Sequence, residues 1–180
     1  FHGPKGVGFI YINGNNQIKP MIDGGSQERN MRAGTENVYG IVGMAKAFEL
    51  AIDNMQERKD HIEEIRSYLK HQLLNNFEDI QFNGDYEGNY LYTVLNVSFP
   101  PSPKSELLLL SLDISGISAS GGSACSSGAE KSSHVLSALK SNPARKAIRF
   151  SFSHYNTKEE IDYVIEKLKT MIAVKEAMAV

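Results

Sequence analysis

The sequence predicts an α/β protein in which the residues from about 76 onward form a small α+β domain, with an antiparallel sheet and packed helices. Two observations support this class. A long helical stripe of apolar residues comes first, and short strand-like runs then alternate with helix signals. The 180 residues, 41% hydrophobic and 22% charged, are ordinary for a soluble globular protein and suffice for one core, or for one domain with part of another.

The N-terminal region combines an apolar run with a polar, glycine-rich segment. Residues 7–12, Val-Gly-Phe-Ile-Tyr-Ile, are nearly continuous in apolar side chains and predict a short buried strand. The sequence Asn-Gly-Asn-Asn at 13–16 predicts a turn after it. Residues 24–35 carry two arginines and are too short and varied for a linker, so we expect an ordered loop.

From about Asn37 the pattern changes to that of a helix. Apolar residues recur at spacings of three, four and seven, which is the period of one helix face. They are Ile41, Ala45, Phe48, Ile52, Met55, Ile62, Ile65, Leu69 and Leu73. This stripe predicts either one long helix or two helices that meet near residues 56–59.

The remainder of the chain alternates strand and helix signals. Strands are predicted near residues 80–82, 93–99, 117–119 and 147–153. Helices are predicted from Ser102-Pro103 through 107–112, around 131–140, and from a capping box of Thr157 and Glu160 onward. Within the last strand Ile148, Phe150 and Phe152 alternate with polar residues, so we expect these three to face the core.

Composition excludes several classes of function. The net charge of −2 gives no electrostatic argument for binding nucleic acid or an acidic membrane surface. No apolar run approaches the roughly 20 residues of a membrane span, and the five histidines with one cysteine show no metal-ligand spacing. A single cysteine rules out an internal disulfide framework, so we expect a reducing compartment, the cytoplasm. The start at Phe1, directly before a turn and an apolar run, suggests a piece of something longer.

The single cysteine, Cys125, lies in a segment of small residues. Ten of the eleven residues at 118–128 are Ser, Ala or Gly, which bury too little apolar area to offset their backbone entropy. This pattern indicates a nucleophile carried on a mobile loop. A flexible linker with a buried, inert thiol is the alternative, because free cysteines are commonly buried.

Two further residues are candidates for binding anionic groups. Arg149 belongs to the polar face of an alternating strand, and its planar guanidinium suits a bidentate grip on a carboxylate. The alternative is a solvated surface arginine. Thr35 precedes the helix that starts near Asn37, where its hydroxyl and backbone amide could donate to a phosphate. The alternative there is that Thr35 or Asn37 only caps the helix.

Together these motifs resemble a known family, the cysteine desulfurases. Four segments occur in the order and at the approximate spacing found in those enzymes. They are Gly-Pro-Lys-Gly-Val-Gly at 3–8, Gly-Ser-Gln-Glu-Arg-Asn-Met-Arg-Ala-Gly-Thr at 25–35, Gly-Ser-Ala-Cys-Ser-Ser at 122–127 and Ile-Arg-Phe-Ser at 148–151. The Ser-Ala-Cys-Ser form is similar to the branch with a long mobile cysteine loop, which serves nitrogen fixation and iron–sulfur cluster assembly.

The resemblance implies a fold-type I enzyme dependent on pyridoxal 5'-phosphate that takes sulfur from L-cysteine and releases L-alanine. It implies that Cys125 is the nucleophile and holds the sulfur as a persulfide, and that Arg149 binds the substrate α-carboxylate. Thr35 would reach the cofactor phosphate of the neighbouring subunit in a homodimer. The sulfur would pass to an acceptor such as an iron–sulfur scaffold, or serve thiolated tRNA synthesis.

The chain departs from the family pattern in one respect. The Schiff-base lysine of the family stands in a His-Lys pair before the segment that matches Phe1, and Lys5 does not replace it. The chain therefore resembles a C-terminal portion: the end of the large cofactor domain at 1–36, a connecting helix or helix pair at 37–75, and a small α+β domain at 76–180. We expect it to be inactive alone. A selenocysteine lyase, an aminotransferase, or a non-catalytic dimerisation or partner-binding fragment remain alternatives.

Overall fold

The computed structural model describes residues 1–121 and 133–175. The chain divides into two compact units, Phe1–Met55 and Gln56–Val180, and each is described by itself. The division into three parts at 36 and 75 remains a prediction. The elements in chain order are α1 (Gln27–Asn30), α2 (Val38–Asp53), α3 (Met55–Asn76), β1 (Gln81–Phe82), β2 (Val94–Phe99), α4 (Pro103–Glu106), α5 (Leu108–Ile114), β3 (Ser120–Gly121), α6 (His134–Ala138), β4 (Lys146–Ser151) and α7 (Lys158–Met171).

The second unit contains a small antiparallel sheet with helices packed on it, which confirms the predicted fold class. The strand order is β1-β2-β4-β3, and β2 and β4 pair along six residues each, from Val94 opposite Ser151 to Phe99 opposite Lys146. One core joins the sheet to α3, α5 and α7. Its members that are wholly excluded from solvent are Leu69, Leu73, Val97, Phe99, Leu108, Leu112, Ile148 and Leu168.

Alternation of side chains along β4 decides which face of the sheet meets this core. Ile148 and Phe150 are buried, and Phe152 beyond the strand is buried as well, as predicted. Arg149 and Ser151, which point to the other face, are exposed. Because successive residues of a strand face opposite sides, the sequence pattern alone places Arg149 on the face away from the core.

The predicted helical stripe belongs to two helices rather than one. Asn54 separates α2 from α3, and its backbone and side-chain amides both bond to the carbonyl of Leu50. An asparagine that satisfies a terminal carbonyl in this way ends the first helix. The sequence pattern predicted a break near residues 56–59, and the observed break at Asn54 lies slightly before that range.

Two predicted strands differ from the structure. Residues 7–12 form no strand, and Phe9 and Ile10 are each more than 70% exposed. A strand needs neighbouring strands for its backbone hydrogen bonds, and the described part of the first unit contains none. The strand predicted at 117–119 instead begins at Ser120, because the Ile117 amide bonds to the Leu112 carbonyl and closes α5, with Gly116 at φ +75°.

The predicted helix starts are confirmed. The Ser102 hydroxyl accepts from the Ser105 amide, and the Ser105 hydroxyl accepts from the Ser102 amide. This capping box starts α4, with Pro103 at its first position. The Thr157 hydroxyl accepts from the Glu160 amide, and Glu160 accepts from the Thr157 amide, which starts α7. The helix predicted around 131–140 is α6; residues 131 and 132 lie outside the described part of the chain.

Candidate active site

A row of polar side chains crosses the face of the sheet that lies opposite the core. Asn96 of β2 pairs with Arg149 of β4, and Arg149 pairs with Ser120 of β3 on its other side. Asn83, directly after β1, donates its amide to the Asn96 carbonyl at 3.0 Å and so lies opposite Asn96. We call Asn83, Asn96, Arg149 and Ser120 the polar row.

Arg149 and Asn96 form the close type of cross-strand pair. The Phe152 amide donates to the Thr93 carbonyl at 2.8 Å, which makes that pair hydrogen-bonded across the ladder. Because hydrogen-bonded and non-hydrogen-bonded pairs alternate in an antiparallel ladder, Arg149 and Asn96 form a non-hydrogen-bonded pair. Side chains of such pairs lie closest, with Cβ atoms about 4.5–5.5 Å apart. The Arg149 and Asn96 side chains therefore start from adjacent positions on this face of the sheet.

Asn96 is held by its neighbour in the row through both backbone and side chain. Besides the backbone bond, the Asn83 Nδ2 donates to the Asn96 Oδ1 at 2.8 Å. Both side chains are half-buried. This double contact fixes the side-chain amide of Asn96 beside Arg149.

The two arginines of this region differ in what surrounds them. The Arg145 side chain is 5% exposed and donates to Ser98 and to both the backbone and the carboxylate of Asp79, 2.6 Å away for the carboxylate. Hydrogen bonding from Arg145 is the main cause that lowers the pKa of Asp79 below its ordinary range. Arg149, by contrast, is exposed, and among the described residues no hydrogen bond or ion pair to its guanidinium occurs. Arg145 is therefore structural, while Arg149 is available for a ligand.

The predicted phosphate contact, Thr35, lies in the first unit just before α2. Gly34 takes φ +103° and Thr35 is exposed. Asn37 caps the helix, since its side chain accepts from the Gly40 amide at 3.1 Å. The Thr35 hydroxyl is therefore not needed as a cap, and Thr35 itself lies two residues before the cap of a 16-residue helix, near the end where anions are favoured.

The three predicted site residues are not assembled in one described site. Cys125, and the prediction that its loop is mobile, lie outside the described residues. Thr35 and Arg149 belong to different units, and each is placed only within its own.

A separate cavity of about 550 Å³ lies near the end of β4, lined in part by Ile117, Ser151, Phe152 and Tyr163. Arg149 and Asn96 do not line it, so the candidate substrate site is the open polar row. Within residues 1–121 and 133–175, no three His, Cys, Asp or Glu side chains stand where they could hold a metal ion. None of the described helices combines the length and apolar character required to cross a bilayer.

Asn83 and Asn96 were not identified from the sequence. A signal for Asn96 does exist: within residues 94–99, Val-Leu-Asn-Val-Ser-Phe, the two polar residues Asn96 and Ser98 are two positions apart and so share one face of an otherwise apolar strand. The pairing with Arg149 has no such signal, because strand order and register bring together residues that are 53 positions apart, from 96 to 149.

Comparisons with known proteins agree with the resemblance seen in the motifs. Residues 1–164 match the family model for aminotransferase class-V. The chain is 44% identical to the cysteine desulfurase IscS of Dictyoglomus turgidum, over 98% of this chain and 46% of that protein. It is 41% identical to the cysteine desulfurase IscS of Clostridium botulinum strain Hall, over 99% of this chain and 46% of that protein. A solved NifS-like protein, 40% identical, matches 94% of this chain and 43% of its own with a TM-score of 0.81.

The chain therefore belongs to the aminotransferase class-V family. The predicted resemblance to a portion of a cysteine desulfurase is confirmed, because the chain spans 46% of the length of the two curated relatives. Its helices and small antiparallel sheet have the fold of the NifS-like neighbour. Membership in this family implies pyridoxal phosphate as the family's cofactor.

Proposed function

We propose that the protein carrying this chain is a cysteine desulfurase, which moves sulfur from L-cysteine to Cys125 and releases L-alanine. The observation that carries the proposal is Arg149. Its exposed guanidinium stands opposite Asn96 in a row without carboxylates, in a chain 44% identical to a cysteine desulfurase IscS. An amino-acid substrate presents an α-carboxylate, which a guanidinium binds through two parallel hydrogen bonds.

Arg149 would orient the substrate by this carboxylate. The planar guanidinium fork presents two parallel N–H donors, and these fix the plane of the bound carboxylate. Rigid placement on β4, paired on both sides by β2 and β3, keeps the fork in position. The substrate side chain then has one direction in which to project, which is a requirement for sulfur transfer to a single thiol.

Cys125 would be the sulfur acceptor. Its thiolate attacks the substrate sulfur, so that an S–S bond forms while the C–S bond breaks. The bonding electron pair leaves with the substrate carbon, which takes up a proton to give L-alanine. Cys125 retains the sulfur as a persulfide for an acceptor protein, such as an iron–sulfur scaffold or one that serves tRNA thiolation.

Pyridoxal phosphate would supply the electron sink that makes the substrate C–S bond labile. Of its contacts, this chain offers one edge of a phosphate site. The Thr35 hydroxyl, beside the start of α2, fits a phosphate oxygen, and we assign it to the cofactor of the neighbouring subunit in a homodimer. The family's Schiff-base lysine and ring-stacking residues are not among residues 1–180, so we propose that these residues alone do not turn over. We assign the protein to the cytoplasm.

The test uses the complete protein and compares Arg149→Ala with Cys125→Ser. Charge-assisted hydrogen bonds contribute about 1.5–3 kcal/mol each, so loss of Arg149 should raise KM for L-cysteine at least about tenfold. Cys125→Ser should abolish sulfide and persulfide formation while the bound cofactor keeps its visible absorbance. Arg58→Ala, which removes a guanidinium from α3, is the matched control and should leave both properties unchanged.

The alternatives make different predictions for the same variants. A selenocysteine lyase or an aminotransferase needs no thiol, so activity that survives Cys125→Ser would favour one of them. A non-catalytic dimerisation or partner-binding role would leave the complete protein without cysteine-dependent sulfide release. An unchanged KM for L-cysteine in Arg149→Ala would show that Arg149 is only a solvated surface residue.

A further inference from the structure

We infer that Asn96 is a second donor to the substrate carboxylate, next to Arg149, and that Asn83 is the positioning residue that turns its amide the right way. The inference rests on the proposed function, because it assigns further roles within the same carboxylate site. It follows from the pairing of Asn96 with Arg149 and from the two hydrogen bonds between Asn83 and Asn96.

The Asn96 side chain is oriented by its hydrogen bond to Asn83. Its Oδ1 already accepts from the Asn83 Nδ2 at 2.8 Å. An asparagine amide has one oxygen and one NH2 group, so the Asn96 oxygen is directed to β1 and the two N–H donors remain. The backbone bond from Asn83 to Asn96, 3.0 Å long, holds the same two residues in register. No residue in 1–121 or 133–175 accepts a hydrogen bond from the Asn96 NH2 group, and with the oxygen directed to β1 we place this group on the side of its other strand partner, Arg149.

The donors of Arg149 and Asn96 together match the acceptors of a carboxylate. A carboxylate has two oxygens with about four lone-pair positions, and a bidentate guanidinium uses only two of them. The NH2 group of Asn96 can donate to a third. The polar row itself contains amide, hydroxyl and guanidinium groups and no acid, so nothing within it repels an anion. The ligand class that fits is the α-carboxylate of a small amino acid.

Asn83 acts on the substrate only through Asn96. Without its donor, the Asn96 amide can turn and offer its oxygen to the Arg149 guanidinium. That contact would occupy the donors of Arg149 that the substrate needs. Asn83 prevents it by keeping the Asn96 oxygen engaged on the far side.

The experiment exchanges donors for acceptors at nearly constant shape, in the complete protein. Asn96→Asp places a negative oxygen beside the bound carboxylate, and KM for L-cysteine should rise roughly tenfold or more with a smaller change in kcat. Asn83→Asp can only accept, so Asn96 must turn its NH2 group toward β1, and KM should rise severalfold. Asn89→Asp, the same chemical change in the loop between β1 and β2, is the control and should leave KM unchanged. Asn96→Ser, a milder variant, should raise KM less than Asn96→Asp.

A second measurement needs no variant that could impair folding. The product L-alanine carries the same carboxylate, and its titration into the wild-type protein should shift the side-chain NH2 resonances of Asn96 together with the Nε resonance of Arg149. A shift at Arg149 without one at Asn96 would overturn the inference. The same holds if Arg149→Ala raises KM while Asn96→Asp does not, an outcome that leaves the proposed function standing. If neither substitution changes KM, the assignment of Arg149 fails as well.

Discussion

Replacing Arg66 with methionine tests how the segment between β1 and β2 is held against α3. Arg66 is 3% exposed, donates to the carbonyls of Val94 at 3.0 Å and Tyr86 at 3.2 Å, and stacks on the Tyr90 ring 3.9 Å away. These contacts fix both ends of the loop that follows Asn83. Burial lowers the pKa of Arg66, and the nearby Tyr90 and Glu63 act in the opposite direction. Part of the stabilisation from the hydrogen bonds and the ring contact is therefore used to offset the cost of removing the guanidinium from water.

The expected loss in the free energy of unfolding can be worked out from the contacts that methionine cannot make. Methionine has a similar length and no donor, so two partly buried carbonyls, those of Val94 and Tyr86, lose their partner, at about 1 kcal/mol each, the lower end of the range for an unsatisfied group. Loss of the cation–π contact adds about 1–2 kcal/mol, while removal of a buried charge returns part of the total. We therefore expect the free energy of unfolding to fall by about 3 kcal/mol.

Urea unfolding followed by circular dichroism measures this change, and hydrogen exchange locates it. The amides of residues 83–94 should exchange faster in Arg66→Met than in the wild type. The control is Arg58→Met, about two turns earlier on the same helix and half-exposed, which should be nearly neutral. A change at Arg66 below about 0.5 kcal/mol, with unchanged exchange, would refute the idea that this guanidinium anchors the loop.

Two smaller predictions concern stability. Thr157→Ala removes the hydroxyl that caps α7 and should lower the free energy of unfolding by about 1 kcal/mol in urea titrations, whereas Thr170→Ala at the other end should cost less; equal losses would contradict the cap. Arg145 lowers the pKa of Asp79, so the ionised carboxylate stabilises the folded state at any pH above its ordinary pKa of 3.8. This stabilisation is lost as the pH falls through the lower pKa that Asp79 has in the folded state. Asp79→Asn should therefore flatten the fall of Tm between neutral and acid pH, and an unaltered slope would speak against the pair with Arg145.

Sequence patterns predicted the elements whose causes are local. The capping box of Thr157 and the start at Ser102 depend on residues three positions apart, and both appear in the structure. The alternation around Ile148 and Phe150 likewise predicted which side of β4 is buried, and with it the exposure of Arg149. Four ordered motifs were enough to indicate the family, because each motif is a contiguous run of residues.

Tertiary structure decided the features that depend on distant partners. An apolar run such as residues 7–12 becomes a strand only where neighbouring strands pair with it, and the described first unit has none. Arg145 and Arg149 are four positions apart and share a residue type, yet Asp79 and Ser98 engage the first and leave the second exposed. The polar row arises only when strand order and register place Asn96 opposite Arg149. Composition and local spacing therefore determined the elements and the family, while long-range strand pairing determined which donors share a site, because side chains from distant positions meet only through the folded backbone.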